Sequence, residues 1–250
     1  MSDWIWLPEQ SYPEYQLTYF PDYALEGERD LKNNYCIAEF HREYRFPCRI
    51  ERVELRISAD VFYTLTINDG FVGKGPASAG GDFLCDAGDV LPQYADRYTL
   101  CPDSDLLVFD AQVRLLRERL PEYSKGHGGL MIEGSVFLSD GSQQDFSTDT
   151  SWICRVDRRY PESFRCDWDA SPDPWINAVM VEDIWQAEDT ILEPLTEEKI
   201  LPVGPAELCV PGGETMSFSV ELDKIYSAFV GAEIRGEVEV VIEIGEFPGQ

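Results

Sequence analysis

Basic residues are scarce in this chain. Twenty lysines and arginines stand against 47 acids, a formal charge of −27. Nucleic-acid binding draws on clustered Lys and Arg opposite phosphates, so this balance argues against it. Long apolar runs are missing too. Nothing nears the roughly 18–20 residues a membrane helix needs, so no membrane partner is expected. "MSDWIWLPEQ" has neither a basic n-region nor an apolar h-region. No secretory signal is read there, and a cytoplasmic location is the expectation. The seven cysteines (36, 48, 85, 101, 154, 166, 209) are odd in number and contain no C-x-x-C pair. They read as buried free thiols rather than a disulfide framework.

Catalytic signatures are equally thin. The two histidines, His41 and His127, are far apart and fit no H-E-x-x-H spacing. There is no G-x-S-x-G elbow, Walker loop or G-x-G-x-x-G turn. With 47 acids, some carboxylates are neighbours in any fold, so the acid pair of a glycosidase cannot be picked out by spacing. No catalytic residue and no metal ligand is assigned. Scattered aspartates in 81–89 and 103–110 offer the oxygens calcium takes, without EF-hand spacing. Calcium stays open, and no other cofactor is expected.

What the chain has in quantity is period-two alternation. "VELRIS" sets Val53, Leu55 and Ile57 against Glu54, Arg56 and Ser58. Side chains alternate across a strand, so this predicts a half-buried strand. "YTLTI" repeats it with Tyr63, Leu65 and Ile67, and "LLVFDAQV" and "GLMIEGSVFLSDG" read the same way. Turn signals at Asn68-Asp69-Gly70, Gly80-Gly81 and Asp140-Gly141 separate the runs. The fold class predicted is an all-β antiparallel sandwich or barrel. "VRLLRERLPEY" is the one segment that reads as a helical turn or two, stopped by Pro121. The aromatic first forty residues have no clean period and read as an irregular cover.

After Trp185 the composition shifts. "QAEDTILEPLTEEKILPVGP" is acidic, proline-bearing and weakly patterned, and is read as a linker. Alternation then returns in "MSFSVEL" and "EVEVVIEI". The expected organisation is a first domain over 1–186, then a linker and the opening of a second β-sandwich over 187–250. About 60 residues is short for a sandwich of about 100, so the chain reads as the N-terminal portion of something longer.

Three stretches are candidates for contact with a sugar. Asn68 is either a turn residue or an amide that meets a sugar hydroxyl. Beyond it, "GKGPAS" lets the backbone leave the sheet sharply, which would aim a loop at a neighbouring domain or glycan. Trp152 follows a polar loop and is either a core plug or a flat apolar platform for the C–H face of a pyranose. In "FRCDWDASPDPWINAVMVEDIW", Trp168, Trp175 and Trp185 sit among Asp167, Asp169 and Asp173. Aromatics beside carboxylates suit a polyol-binding cleft, and equally a packed acidic loop. His127 in "GHGGL" reads as a loop residue.

Taken in order, several segments resemble the N-terminal part of a bacterial α-L-rhamnosidase of glycoside hydrolase family 78. "ISADVFYTLTINDGFVGKGPAS" resembles that family's strand–NG–strand–GP segment. "GGLMIEGSVFLSDGSQQDFSTDTSW" resembles its late hairpin, with the DG turn and the TD-x-x-W ending. "DWDASPDPWINA" resembles the closing region of the domain, and "VELDKIYSAFVGAEIRGEVEVVIEIGE" the start of the next β domain. The resemblance covers roughly residues 40–250. It implies a jelly-roll, galactose-binding-like sandwich followed by a second β-sandwich. It also implies an active site in an (α/α)6 barrel that this chain lacks, with rhamnose-containing glycan as ligand class. The role expected is non-catalytic support of that barrel, with carbohydrate contact through Asn68, Trp152, Trp168, Asp169 and Trp175. A free-standing carbohydrate-binding module, or an assembly domain without sugar affinity, are the alternatives.

Overall fold

The computed structural model describes residues 3–8, 35–76, 91–116, 128–160, 166–181 and 185–194, with isolated positions 209, 211, 214–216 and 235. The regular structure of these residues is all strand. In order they form β1 (Trp4–Trp6), β2 (Tyr35–Arg45), β3 (Ile50–Asp60), β4 (Phe62–Ile67), β5 (Gly70–Gly75) and β6 (Leu91–Leu100). Then come β7 (Leu106–Leu116), β8 (Gly129–Leu138), β9 (Gln143–Ser147), β10 (Ile153–Val156), β11 (Ile176–Asn177), β12 (Val179–Val181) and β13 (Trp185–Asp189).

Two sheets result. One runs β12-β1-β8-β3-β6-β13, with β9 also on β8, and the other runs β11-β10-β2-β7-β4-β5. The architecture is the all-β sandwich that alternation predicts, of the galactose-binding-like jelly-roll kind that the family resemblance implies. One buried cluster joins the inner faces: Val53, Leu55 and Ile57 of β3 and Ile132 and Val136 of β8 share it with Phe40, Leu65, Phe109 and Val113 of the other sheet. Each such side chain contributes about 1.5–3 kcal/mol by leaving water.

The "TD-x-x-W" stretch closes this sandwich. β8 shares one edge between β1, at Leu130, and β9, from Glu133 onward. Thr148 seals the junction: its hydroxyl donates to the Asp3 carbonyl at 2.5 Å and accepts from Ile132 N at 3.3 Å. Asp149 accepts from Ser151 N at 2.7 Å, and Trp152 N donates to the Asp149 carbonyl at 3.2 Å.

Four expectations are corrected. "WIW" near the N-terminus is β1, with Trp4, Ile5 and Trp6 buried, rather than irregular cover. Val113–Leu116 of the supposed helical turn continue β7, where Val113 and Leu115 are buried and Arg114 between them is exposed, the period-two burial of a strand; residues 117–121 lie outside the described ones. Gln186–Asp189 at the start of the supposed linker belong to β13, which pairs in parallel with β6. Ser58 is buried rather than solvated. That end of the outer face carries a second apolar cluster of Trp4, Ala95 and Met131, so the Ser58 hydroxyl bonds the Tyr94 carbonyl at 2.6 Å instead of water.

The chain divides into two compact units, Met1–Glu197 and Glu198–Gln250. Apart from Met216, which is exposed, the alternating runs of the second unit lie outside the described residues, as do Gly80-Gly81 and His127.

Candidate functional site

The hairpin of β4 and β5 turns on Asn68 and Asp69, both at positive φ (51° and 61°), while Ile67 pairs with Gly70. Positive φ at both central residues suits the twist of flanking strands. Asn68 and Asp69, not Gly70, carry the left-handed conformation. The Asn68 amide is also spent on the fold: Nδ2 donates to the Leu106 carbonyl at 2.9 Å, and Oδ1 accepts from Val108 N at 2.8 Å. An amide held twice by β7 is an anchor, so the turn reading of Asn68 holds.

The glycine-rich exit has an internal purpose. Gly73 and Gly75 face inward on β5, where a Cβ would overlap the Tyr98 ring and the Asp96 carboxylate respectively. Tyr63 Oη donates to Asp96 Oδ2 at 2.5 Å and lies 3.0 Å from Tyr98 Oη. Burial, then the Asp96 carboxylate, pushes the Tyr63 phenol far above its ordinary pKa. The glycines thus let a polar cluster from the opposite sheet close under β5.

Trp152 is 0% exposed and packs on Phe109 at 5.6 Å between ring centroids. An indole with no open face offers none to a pyranose, which corrects its place among the sugar-contacting residues. The core reading is the one that holds.

Trp168, Asp169 and Trp175 are on the surface. They lie on one strap, 166–175, between β10 and β11. Trp168 is 73% exposed, with Tyr160 edge-on to it at 6.1 Å. Hydrogen bonds tie the strap at both ends: Asp167 N to the Arg159 carbonyl (2.7 Å) and Asp173 N to the Val156 carbonyl (2.9 Å). Arg158 grips Asp173 through Nε–Oδ1 at 2.9 Å and Nη2–Oδ2 at 2.6 Å. Paired parallel bonds of this kind fix orientation as well as distance. Asp169 is exposed beside Trp168, its own N–H donating to Asp167 Oδ1 at 3.2 Å.

Beneath the strap lies a charged seat. Asp157, buried, accepts from Arg159 Nε (2.8 Å) and Nη2 (2.7 Å). Burial pushes its carboxyl up, but the Arg159 guanidinium and N–H outweigh burial and hold it below the usual range. Arg155 bonds Glu39 at 2.6 Å and stacks on the Trp175 ring at 4.2 Å. His41 sits 5.9 Å from that ring and holds Asp110 through Nδ1 at 2.8 Å. Trp175, 38% exposed, therefore has its ring backed by a cation while part of its side chain remains in solvent.

These neighbours escaped sequence reading. Glu39, His41, Asp110 and Arg155 meet only through strand register: Arg155 opposite Glu39, His41 opposite Asp110. Of the aspartates considered for calcium, Asp103 pairs with Arg49 and Asp105 with Arg45, while those in 81–89 lie outside the described residues. Among the described residues no group of three or more His, Cys, Asp or Glu is placed to hold a metal ion. Trp185 is in β13, and its side chain lies outside the described ones.

No protein-family model and no curated protein matches the chain. Solved structures do. A GH78 family rhamnosidase of Bacillus sp. GL1 superposes with a TM-score of 0.51 at 20% identity, over 81% of this chain and 21% of that one. An α-L-rhamnosidase from Dictyoglumus thermophilum gives 0.50 at 17% identity, over 76% and 22%. The fold is one that family 78 rhamnosidases contain. This chain spans about a fifth of the length of those enzymes. The Pleurotus ostreatus lectin, in complex with GalNAc, aligns at a TM-score of 0.44 and 18% identity, over 82% of this chain and 48% of that one.

Proposed function

We propose that this chain is a non-catalytic, carbohydrate-contacting β-sandwich portion of an α-L-rhamnosidase-like glycoside hydrolase. The observation that carries this reading is the strap. An indole 73% exposed keeps most of its apolar surface available to a partner, and the Arg158–Asp173 ion pair anchors its strap before any partner arrives. A flat apolar ring beside the exposed Asp169 carboxylate matches the two surfaces of a sugar, its C–H face and its hydroxyl rim. The fold shared with family 78 rhamnosidases supports the choice of parent and of rhamnose as first ligand to try. The charge of −27 favours a neutral glycan over a uronate-rich one, which the protein's field would repel.

Calorimetric titration of the 250-residue chain with L-rhamnose and neutral rhamnose-containing oligosaccharides tests this. Saturable binding, weakened at least tenfold in Trp168→Ala or Trp175→Ala, is the expected result. Absence of heat with every neutral sugar, or binding indifferent to both tryptophans, would sink it. The role as support for a catalytic barrel predicts no turnover of a rhamnoside by this chain alone.

A further inference from the structure

Resting on that reading, we infer that the sugar site continues from Trp175 across the whole outer face of the β11-β10-β2-β7-β4-β5 sheet to Phe71. Its occupant is then a neutral glycan chain of about four residues laid across the strands.

Register carries the argument. Arg155 lies opposite Glu39, Glu39 opposite Gln112, Gln112 opposite Thr64, and Thr64 opposite Lys74. A second row joins Ile153, His41, Asp110, Thr66 and Phe71. Facing pairs in register share one side of a sheet. On the opposite side the alternate residues Phe40, Ala111 and Leu65 enter the core, so these two rows point outward. The face is consequently paved with amide, hydroxyl, imidazole and carboxylate groups and is only half-buried.

A register shift delivers the far aromatic. β5 presents Gly73 and Gly75 inward, so strict alternation would turn Phe71 inward as well. The irregularity between Leu65 and Thr66 inserts Val72, which packs against the core, and sets Phe71 opposite outward-facing Thr66. Phe71 is 44% exposed, with Lys74 Nζ 5.8 Å from its ring centre. A bulge re-aims a side chain in this way. From β10, under Trp175, to β5 are four strand steps of about 4.8 Å, a span of about 19 Å with an aromatic at each end.

Charge selects the kind of occupant. On a chain of −27, this face sets Arg155, Arg114 and Lys74 against Glu39, Glu43 and Asp110. Several of these are already engaged: Arg155 with Glu39, His41 with Asp110, and Arg114 over Phe62 at 4.8 Å. A balanced, hydrogen-bonding strip with aromatic ends suits an uncharged polyhydroxylated chain better than a polyanion or an apolar protein surface.

Calorimetry with neutral rhamno-oligosaccharides of one, two, four and six units reads the span. Affinity is expected to climb from one to four units and then level off. Phe71→Ala, a surface change, should weaken the four-unit ligand about tenfold and leave the one-unit ligand untouched. Gln112→Ala, mid-strip, should lower four-unit affinity less. Trp175→Ala should weaken every length. Length-independent binding that is lost in Trp175→Ala would overturn the strip while leaving the proposed function standing. Four-unit binding indifferent to both Phe71→Ala and Gln112→Ala would do the same. Concentration-dependent dimerisation abolished by Phe71→Ala, with no length dependence, would replace the glycan by a second copy of this chain. No binding of any sugar would remove both readings at once.

Discussion

Single residues in this protein divide sharply between anchors and free surfaces. Asn68 has the right chemistry for a sugar and spends it on β7, whereas Trp168 meets Tyr160 edge-on and leaves most of its surface in solvent. Asn68→Gly retains the positive φ but releases two backbone partners, so it should cost about 1–3 kcal/mol in urea unfolding and leave sugar affinity unchanged. The thiols divide likewise. Burial pushes Cys36 and Cys154 up to about 12, while Cys101 is exposed. Maleimide at pH 7.5 should therefore label Cys101 well before Cys36 or Cys154, as peptide mapping after a timed quench would show.

At the level of elements, what matters is how edges and exits are closed. Thr148 satisfies the gap in β8's edge, so Thr148→Val should lower stability by about 1–3 kcal/mol and raise hydrogen exchange in β1 before β3. Gly75 admits the Asp96–Tyr63 pair under β5. Gly75→Ala should destabilise by about 1–3 kcal/mol through overpacking, which thermal unfolding would register. The family-like hairpin and TD-x-x-W segments are thus legible in sequence because they build the fold. For the same reason they say nothing about what is bound.

For the molecule as a whole, acidity sets the response to pH. The Arg97 guanidinium holds the Asp189 carboxyl below the usual range, and Arg159, against burial, does the same for Asp157. Carboxyls depressed in the folded state stabilise it above their unfolded pKa of about 3.9, and that stability is lost as pH falls through the folded values. Urea midpoints should hold near pH 6 and drop below about pH 4. Asp157→Asn should start lower and flatten that acid limb; an unchanged limb would dismiss Asp157 as a contributor.

Alternation by itself determined that the described residues fold as strands, because the side-chain period of two leaves one face for the core wherever Val, Leu and Ile recur at every second place. It singled out Tyr63, Leu65 and Ile67 as interior, and these are buried. It could not see β1, three residues long, or the parallel β13, whose partners lie far away in sequence. Nor could it decide whether Trp152 or Trp168 faced solvent, since both follow polar loops. Tertiary structure alone brought Glu39, His41, Asp110 and Arg155 together beneath Trp175. Cross-strand neighbours come from register between segments up to 116 residues apart, and a local pattern carries no information about that distance.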